Sequence, residues 1–443
     1  MIISNNYSAL TEARKFVNPK LGIIKFCVSR KRIWGEDNYF QYACELAKMG
    51  RIINMPHFPV SSTSASMDKT QAEIGAIVEG LERYCGVMKY FEDVPIYTSE
   101  SENIENNLFP VKELPICLDE EYSNFYNFLS KPNSNQSYYW TKCRDLINDN
   151  DIYVPSSYIF LNHNINQKNE IISTPNSTGT AGGQLLEKAT VNAILEALER
   201  DAIMITWLNQ IPRNKIDIDT IKNKDILKRI NAHKRNKSEV FLFDISTDFD
   251  IPIVLCVIKS PEYPEITVTA AAKLNSDEAV CRALDEAFTT RNFGLYNKSK
   301  FYIKNYDDKF HNVIDFEDHY YLYNKPKMQN KLDFLIKNDK TIHINELANN
   351  EKLEHYESQE VLEYFIDEFK KRSFHLISKE ITTSDISHSI FRFVKIFTPN
   401  LVVLSPNHNL RFLKNNRIKD ILPQIGYSDY SNKKITNLPH PFA

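Results

Sequence analysis

No run of this chain approaches the ~18 consecutive apolar residues that a bilayer crossing requires. The opening residues, MIISNNYSALTEARKF, hold no apolar signal-peptide core, so a soluble, cytoplasmic protein is expected. An excess of one charge is missing as well. Lys and Arg number 54 against 57 Asp and Glu, a formal net charge of -3, and no basic balance advertises nucleic acid or an acidic membrane. The seven cysteines are odd in number, scattered and without CxxC spacing. That argues against a disulfide framework or a structural zinc site and predicts reduced thiols packed as small hydrophobes. Neither GxxxxGK[ST] nor a credible GxGxxG occurs, so neither a P-loop nor a Rossmann turn holds phosphate here. Solenoid-type repeats are also absent.

What is present is ordinary globular material, 42% hydrophobic and 25% charged over 443 residues, enough for one large α/β unit or a few average domains. LGIIKFCV is a short apolar run, and NYFQYACELAKM reads as a helix. After the polar turn SSTSASMDKT, residues Ile74, Ile77, Val78 and Leu81 repeat at i, i+3, i+4 and i+7, which predicts a helix. Residues 97–140, rich in Asn, Ser, Glu and Tyr, read as an irregular surface excursion. DIYVPSSYIFL is strand-like, and STGTAGG reads as a turn leading into a long helix. SEVFLFDIS, IPIVLCVIKS and EITVTAAAKL predict three successive strands. Helices are expected at SDEAVCRALDEAFTTRNFG and SQEVLEYFIDEFKKR, and strands at FRFVKIFTP and NLVVLSP. The Pro-rich NLPHPFA cannot be regular secondary structure.

One pattern occurs twice. IVEGLERYC carries Glu79, Glu82 and Arg83, and ILEALERDA carries Glu196, Glu199 and Arg200. Positions i and i+3 share a helix face, so each ExxER presents two carboxylates side by side. In the second helix Val191, Ile194, Leu195 and Leu198 crowd around them. Acids on a partly buried face must be protonated, paired or bound to a cation. The plain reading of one ExxER is an arginine pairing with its neighbours. Two copies inside otherwise apolar helices point instead to divalent ions among the acids. All-oxygen ligation selects Mg2+ or Ca2+ rather than zinc, and Mg2+ held by several carboxylates suggests a polyphosphate sharing it. STGTAGG offers backbone N–H groups and hydroxyls to such a phosphate, if it is more than a helix-start turn.

These segments, with QAEIGAIVEGLERYCG, STGTAGGQLLEKATVNAILEALERDAIMITWLNQIP, SDEAVCRALDEAFTTR and the terminal LPHPFA in that order, resemble the YcaO superfamily and, within it, the SagD-like cyclodehydratases of thiazole/oxazole-modified peptide pathways. The resemblance implies a YcaO fold, an α/β arrangement of mixed sheets and packed helices whose ATP site is neither P-loop nor Rossmann. It divides the chain into a lead-in segment, residues 1–58, and a YcaO domain, residues 59–443, ending in the Pro-rich tail. It implies Mg2+ bound by Glu79, Glu82, Glu196 and Glu199, and ATP contacted by Arg83, Gln184, Asn192, Arg200, Arg282 and Glu286. An i, i+4 surface pair is the plainer account of Arg282 and Glu286. Two positions depart from the family pattern: Gly75 stands where many relatives have Ser, and Lys188, beside Glu187, where a glutamate is common. Metal stoichiometry therefore stays open.

The chemistry implied is ATP-dependent activation of a backbone amide. A Cys, Ser or Thr side chain adds to the preceding carbonyl, the oxyanion is phosphorylated, and phosphate leaves to give an azoline. Pro439, Pro441 and the terminal Ala443 are the tail positions expected to act in it, the prolines stiffening a docking segment. His440 between them reads as a general base or, at least as readily, as a solvent-facing side chain, and Trp207 as core packing or a dimer contact. Expected partners are a precursor peptide, a leader-binding E1-like protein, an FMN-dependent dehydrogenase and a second copy of the chain. A thioamide-forming enzyme, a non-catalytic scaffold subunit and a carboxylate-bridged metallohydrolase are the other readings.

Overall fold

A computed structural model describes residues 2–31, 39–51, 60–103, 106–162, 165–234, 237–348 and 353–442. The expected boundary at residues 58 and 59 lies outside the described residues, as does Ala443. The chain divides into two compact units, the first comprising residues up to Lys31, Tyr39–Ala197 and Tyr356–Asn400, the second Leu198–His355 and Leu401 onward.

In the first unit, α1 (Ile2–Arg14) precedes β1 (Ile24–Ser29), β2 (Phe40–Leu46) and β3 (Ser61–Ser66), an antiparallel sheet in that order. The helix expected over NYFQYACELAKM is thus a strand. Tyr42, Cys44 and Leu46 enter the core at strand spacing, and pairing with β1 and β3 satisfies the backbone on both edges. The predicted helix α2 (Lys69–Glu92) packs on this sheet, capped by Asp68, whose side chain accepts from Gln71 N at 2.9 Å. Arg14 of α1 ties to it through both oxygens of Glu73, at 2.7 and 2.8 Å.

β4 (Ile96–Thr98), α3 (Asp119–Tyr122), β5 (Tyr138–Asp145), β6 (Asn150–Pro155), β7 (Thr180–Gly183) and α4 (Leu186–Asn209) follow. Residues 97–140 hold little regular structure, as expected, yet they are no surface excursion: Phe109, Val111 and Leu114 share a core with Trp140. The STGTAGG segment is largely a strand rather than a turn, because β7 finds a partner much later in the chain.

In the second unit the three predicted strands appear as β9 (Glu239–Asp244), β10 (Ile253–Lys259) and β11 (Ile266–Ala272), preceded by β8 (Lys215–Ile216) and α5 (Lys224–Lys234). Nearly every residue of β10 and β11 is buried. The predicted helix α6 (Ser276–Tyr296), capped by the Asn275 side chain on Glu278 N at 3.0 Å, packs across them. Short helices α7 (Lys298–Ile303), α8 (Phe316–Tyr323) and α9 (Asp333–Ile336) lead to β12 (Thr341–Ile342), which pairs parallel with β8 and completes the order β11-β10-β9-β8-β12.

The chain then returns to the first unit with α10 (Ser358–Lys371), β13 (Ile377–Glu380) and β14 (Arg392–Phe397). These complete a second sheet, β4-β5-β13-β14-β7, with β6 on the flank of β5. All seven cysteines are free thiols, and five of them are buried. Among the described residues no helix is long and apolar enough to cross a membrane.

NLVVLSP forms no strand, because side chains of the second unit occupy its backbone. Val402 N donates to Asp201 Oδ1 at 2.8 Å and Leu401 O accepts from Asn415 Nδ2 at 2.9 Å. Asp201 is wholly buried and pairs with Arg417, the first residue of α11 (Arg417–Asp420), at 2.8 Å; the same guanidinium reaches Asp248 at 2.6 Å. Removing one partner of such a buried group leaves uncompensated charge. We expect Arg417→Met to cost roughly 3–5 kcal/mol in urea denaturation; a loss below about 1 kcal/mol, the scale of an exposed pair, would contradict this role.

Candidate functional site

From Ala189 to Asn209 every residue of α4 is buried except Asn192, Glu196, Glu199 and Arg200. Their spacing draws one stripe along the helix. A span otherwise buried all round is open only where the sequence pointed to chemistry. On α2, Glu79 and Glu82 are likewise partly buried, beside the apolar face of Ala72, Ala76, Ile77 and Leu81.

Within the first unit the acids are braced from the backbone. Glu79 accepts from Thr63 N of β3 at 3.2 Å and from Arg83 at 2.6 Å. Glu196 accepts at 2.9 Å from the N–H of Gly179, whose φ of +75° favours glycine and whose Cβ would meet Ile396 O at 2.9 Å. Asn192 Nδ2 donates to Gly182 O at 3.1 Å. The STGTAGG segment therefore steadies the stripe of α4 from one side. Glu82 accepts no hydrogen bond among the described residues. Burial, then the charges of Glu196 and Glu79, hold its carboxyl well above the ordinary range, with Arg83 and Lys395 offsetting part of this.

Lys395 was not singled out from the sequence. It is buried in the middle of β14, and its Nζ donates to Asn176 O at 2.8 Å and Thr178 O at 2.6 Å. Burial pushes its ammonium down to about 8, while Glu196 and Glu82 pull it back up. A lysine at the centre of FRFVKIF was the available signal.

The two departures noted above have structural counterparts. A Cβ at Gly75 would stand 2.4 Å from Ser64 Oγ, so a β3 hydroxyl fills the room a residue-75 side chain would need. Glu187, nine residues before Glu196 and so half a turn out of phase, lines a groove of about 800 Å3 with Lys89, Lys379 and Thr190; it does not join the stripe. Gln184, two residues before α4, and Lys188, in its first turn, are exposed.

Within the second unit Glu199 accepts from Ala272 N at 3.1 Å and lies 3.7 Å from Arg200 Nε. Arg282 and Glu286 form an i, i+4 ion pair on α6. Lys273, just past β11 and also missed from the sequence, lies in the field of this set. Burial and then the Arg282 charge lower its ammonium, and Glu199, Glu278 and Glu286 counter them. Pro439 and Pro441 are buried, and so is His440, contrary to the solvent-facing reading; its ring lies flat on His319 at 3.7 Å. Trp207 is packed in the core and donates to Leu438 O at 3.1 Å.

Among the described residues no group of three or more His, Cys, Asp or Glu is gathered tightly enough to hold a metal ion. The acids instead rest on backbone N–H groups. Glu82, crowded by two carboxylates and accepting no hydrogen bond, is the group a cation would relieve. An all-carboxylate donor set of this kind fits a hard ion such as Mg2+.

A family model described as YcaO cyclodehydratase, ATP- and Mg2+-binding, matches residues 65–402; the chain belongs to the YcaO family. Its fold matches a structure described as a heterocyclase in complex with substrate and cofactor, with a TM-score of 0.75 and 16% identity over 99% of this chain and 57% of that one. YcaO from Methanopyrus kandleri bound with AMPPCP and Mg2+ matches with a TM-score of 0.63 and 14% identity, covering 90% and 91% of the two chains. The E. coli microcin synthetase McbBCD complex with pro-MccB17 bound matches with a TM-score of 0.64 and 14% identity, covering 97% and 99%. At these identities the likeness is one of fold, and it bears out the mixed α/β architecture. An uncharacterized protein of Methanothermobacter thermautotrophicus is 24% identical over 231 residues, half of this chain and 55% of that protein.

The raised Glu82 carboxyl has a signed consequence. A group raised in the folded state contributes stability below its ordinary pKa and loses that contribution as pH rises through the folded value. With divalent ions chelated, Glu82→Gln should therefore gain a few degrees of thermal midpoint over the wild type between pH 5 and pH 8. A constant difference across that range would show that Glu82 is not under charge stress.

Proposed function

We propose that this chain is the ATP-dependent cyclodehydratase of a ribosomal-peptide modification pathway, forming thiazolines or oxazolines from Cys, Ser or Thr of a precursor peptide. The observation that carries the reading is the stripe on α4, where the buried span from Ala189 to Asn209 leaves only Asn192, Glu196, Glu199 and Arg200 open. Glu79, Glu82, Glu196 and Glu199 are assigned to Mg2+, which when bound neutralises charge on the transferred phosphoryl group. Arg83, Gln184, Asn192, Arg200, Arg282 and Glu286 are assigned to ATP. The peptide nucleophile closes on the preceding carbonyl, the carbonyl oxygen takes the γ-phosphoryl, and phosphate departs with that oxygen. Fixed donors and cations are what such a step requires of the protein. Pro439, Pro441 and Ala443 belong to the tail assigned to proton handling near the reacting amide. A leader-binding E1-like partner and an FMN-dependent dehydrogenase complete the assignment, which draws support from the fold shared with the microcin synthetase complex.

The test is reconstitution with precursor peptide and partner. ADP and phosphate should form together with a peptide lighter by one water per ring, and removing residues 438–443 should lower ring formation by at least roughly tenfold, the loss expected when a positioned proton-transfer group is taken away. A peptide gaining sulfur in place of oxygen, with activity surviving that removal, would favour thioamide formation. ATP left unconsumed with partner and peptide both present would favour a scaffold.

A further inference from the structure

The segment before the last residue is held in an unusual way. Arg411 donates to Thr436 O at 2.8 Å, Trp207 Nε1 to Leu438 O at 3.1 Å and Tyr323 OH to Pro439 O at 2.6 Å. His319 Nδ1 lies 2.7 Å from His440 O and its Nε2 3.1 Å from Pro406 O. Successive carbonyls are thus met by side-chain donors. His319, Tyr323 and Trp207 are all buried. His319 and Tyr323 stand one turn apart on α8, and Trp207 stands two turns beyond Arg200 on α4.

A wall of donors suits a strand that accepts but does not donate. A buried N–H facing another donor is left unsatisfied, which is costly. Pro439 and Pro441 have no N–H to leave unmet. Two of the three remaining N–H groups turn inward: Leu438 N to Thr436 Oγ1 at 3.2 Å and Phe442 N to His440 Nδ1 at 3.3 Å. With Nδ1 accepting, the His440 proton sits on Nε2, which donates to Ser405 O at 2.9 Å.

We propose that Trp207, Tyr323 and His319 form a donor-lined slot that fixes residues 438–442 in one register, and that they are positioning residues for the reaction proposed above, on which their catalytic consequence rests. The prolines serve the slot chiefly by removing N–H groups, and only secondarily by stiffening the chain. His440 is read through its side chain as well, by Ser405 and by the stack on His319.

Hydrogen exchange of the full-length protein, read by mass spectrometry on the C-terminal peptide, tests the slot without any assay of activity. Tyr323→Phe, which removes one donor, and Pro439→Ala, which adds one N–H, should each speed exchange of that peptide by at least roughly tenfold, the scale of one lost hydrogen bond, with the remaining peptides unchanged. Turnover with precursor and partner should fall by roughly tenfold, while the dissociation constant for a non-hydrolysable ATP analogue stays within about twofold of the wild type. Exchange equal to the wild type in both variants would overturn the slot. Faster exchange with unchanged turnover would overturn the positioning role. If the wild type itself forms no rings, the proposed function fails, and the exchange comparison still decides whether the slot exists.

Discussion

Glu79, Glu82 and Glu196 bring like charge into a half-buried part of the first unit, and much of the surrounding structure answers that repulsion. Thr63 of β3, Gly179 before β7 and the guanidinium of Arg83 each take one carboxylate oxygen. Lys395 supplies a buried cation from β14 while tying down the carbonyls of Asn176 and Thr178. The pairing of β14 with β7 sets Lys395 opposite Thr180, so the sheet register decides where that cation stands. Among the described residues Glu82 accepts no hydrogen bond, and a carboxyl in that position either keeps its proton or takes a divalent ion.

The second unit solves a different problem, that of holding irregular chain in the interior. Asp201, one residue past the second ExxER, is buried, binds Arg417 and takes the Val402 N–H. The same α4 carries Trp207 to Leu438 O. Stretches that look like loops or a frayed end are ordered because side chains replace the hydrogen bonds a sheet would have given. Proline fits there because it asks for fewer of them.

Much of this was legible in the sequence where a period was long. The doubled ExxER, the helix after STGTAGG and the three strands from Glu239 to Ala272 follow from spacing alone, because helices and buried strands impose their own periodicities. Local pattern failed where a distant partner decides. NYFQYACELAKM has a helical composition, yet two neighbouring strands claim its backbone. NLVVLSP is β-branched, yet Asp201 and Asn415 reach its backbone first. Thr180–Gly183 is a strand only because β14 returns some two hundred residues later. Lys395 and Lys273 escaped for the same reason: a single lysine has no spacing to reveal it, and its meaning comes from acids contributed by other elements. Resemblance to a family supplied the nucleotide, which no spacing of carboxylates names.

The most direct test of the central claim is calorimetric titration of the full-length protein with a non-hydrolysable ATP analogue and Mg2+, beside Glu196→Gln and, as a control from the opposite face of the same helix, Glu187→Gln. The account predicts saturable binding in the wild type and in Glu187→Gln, and its loss in Glu196→Gln. Equal affinity in all three would mean that the stripe on α4 does not hold the metal–nucleotide, and the central claim would be wrong.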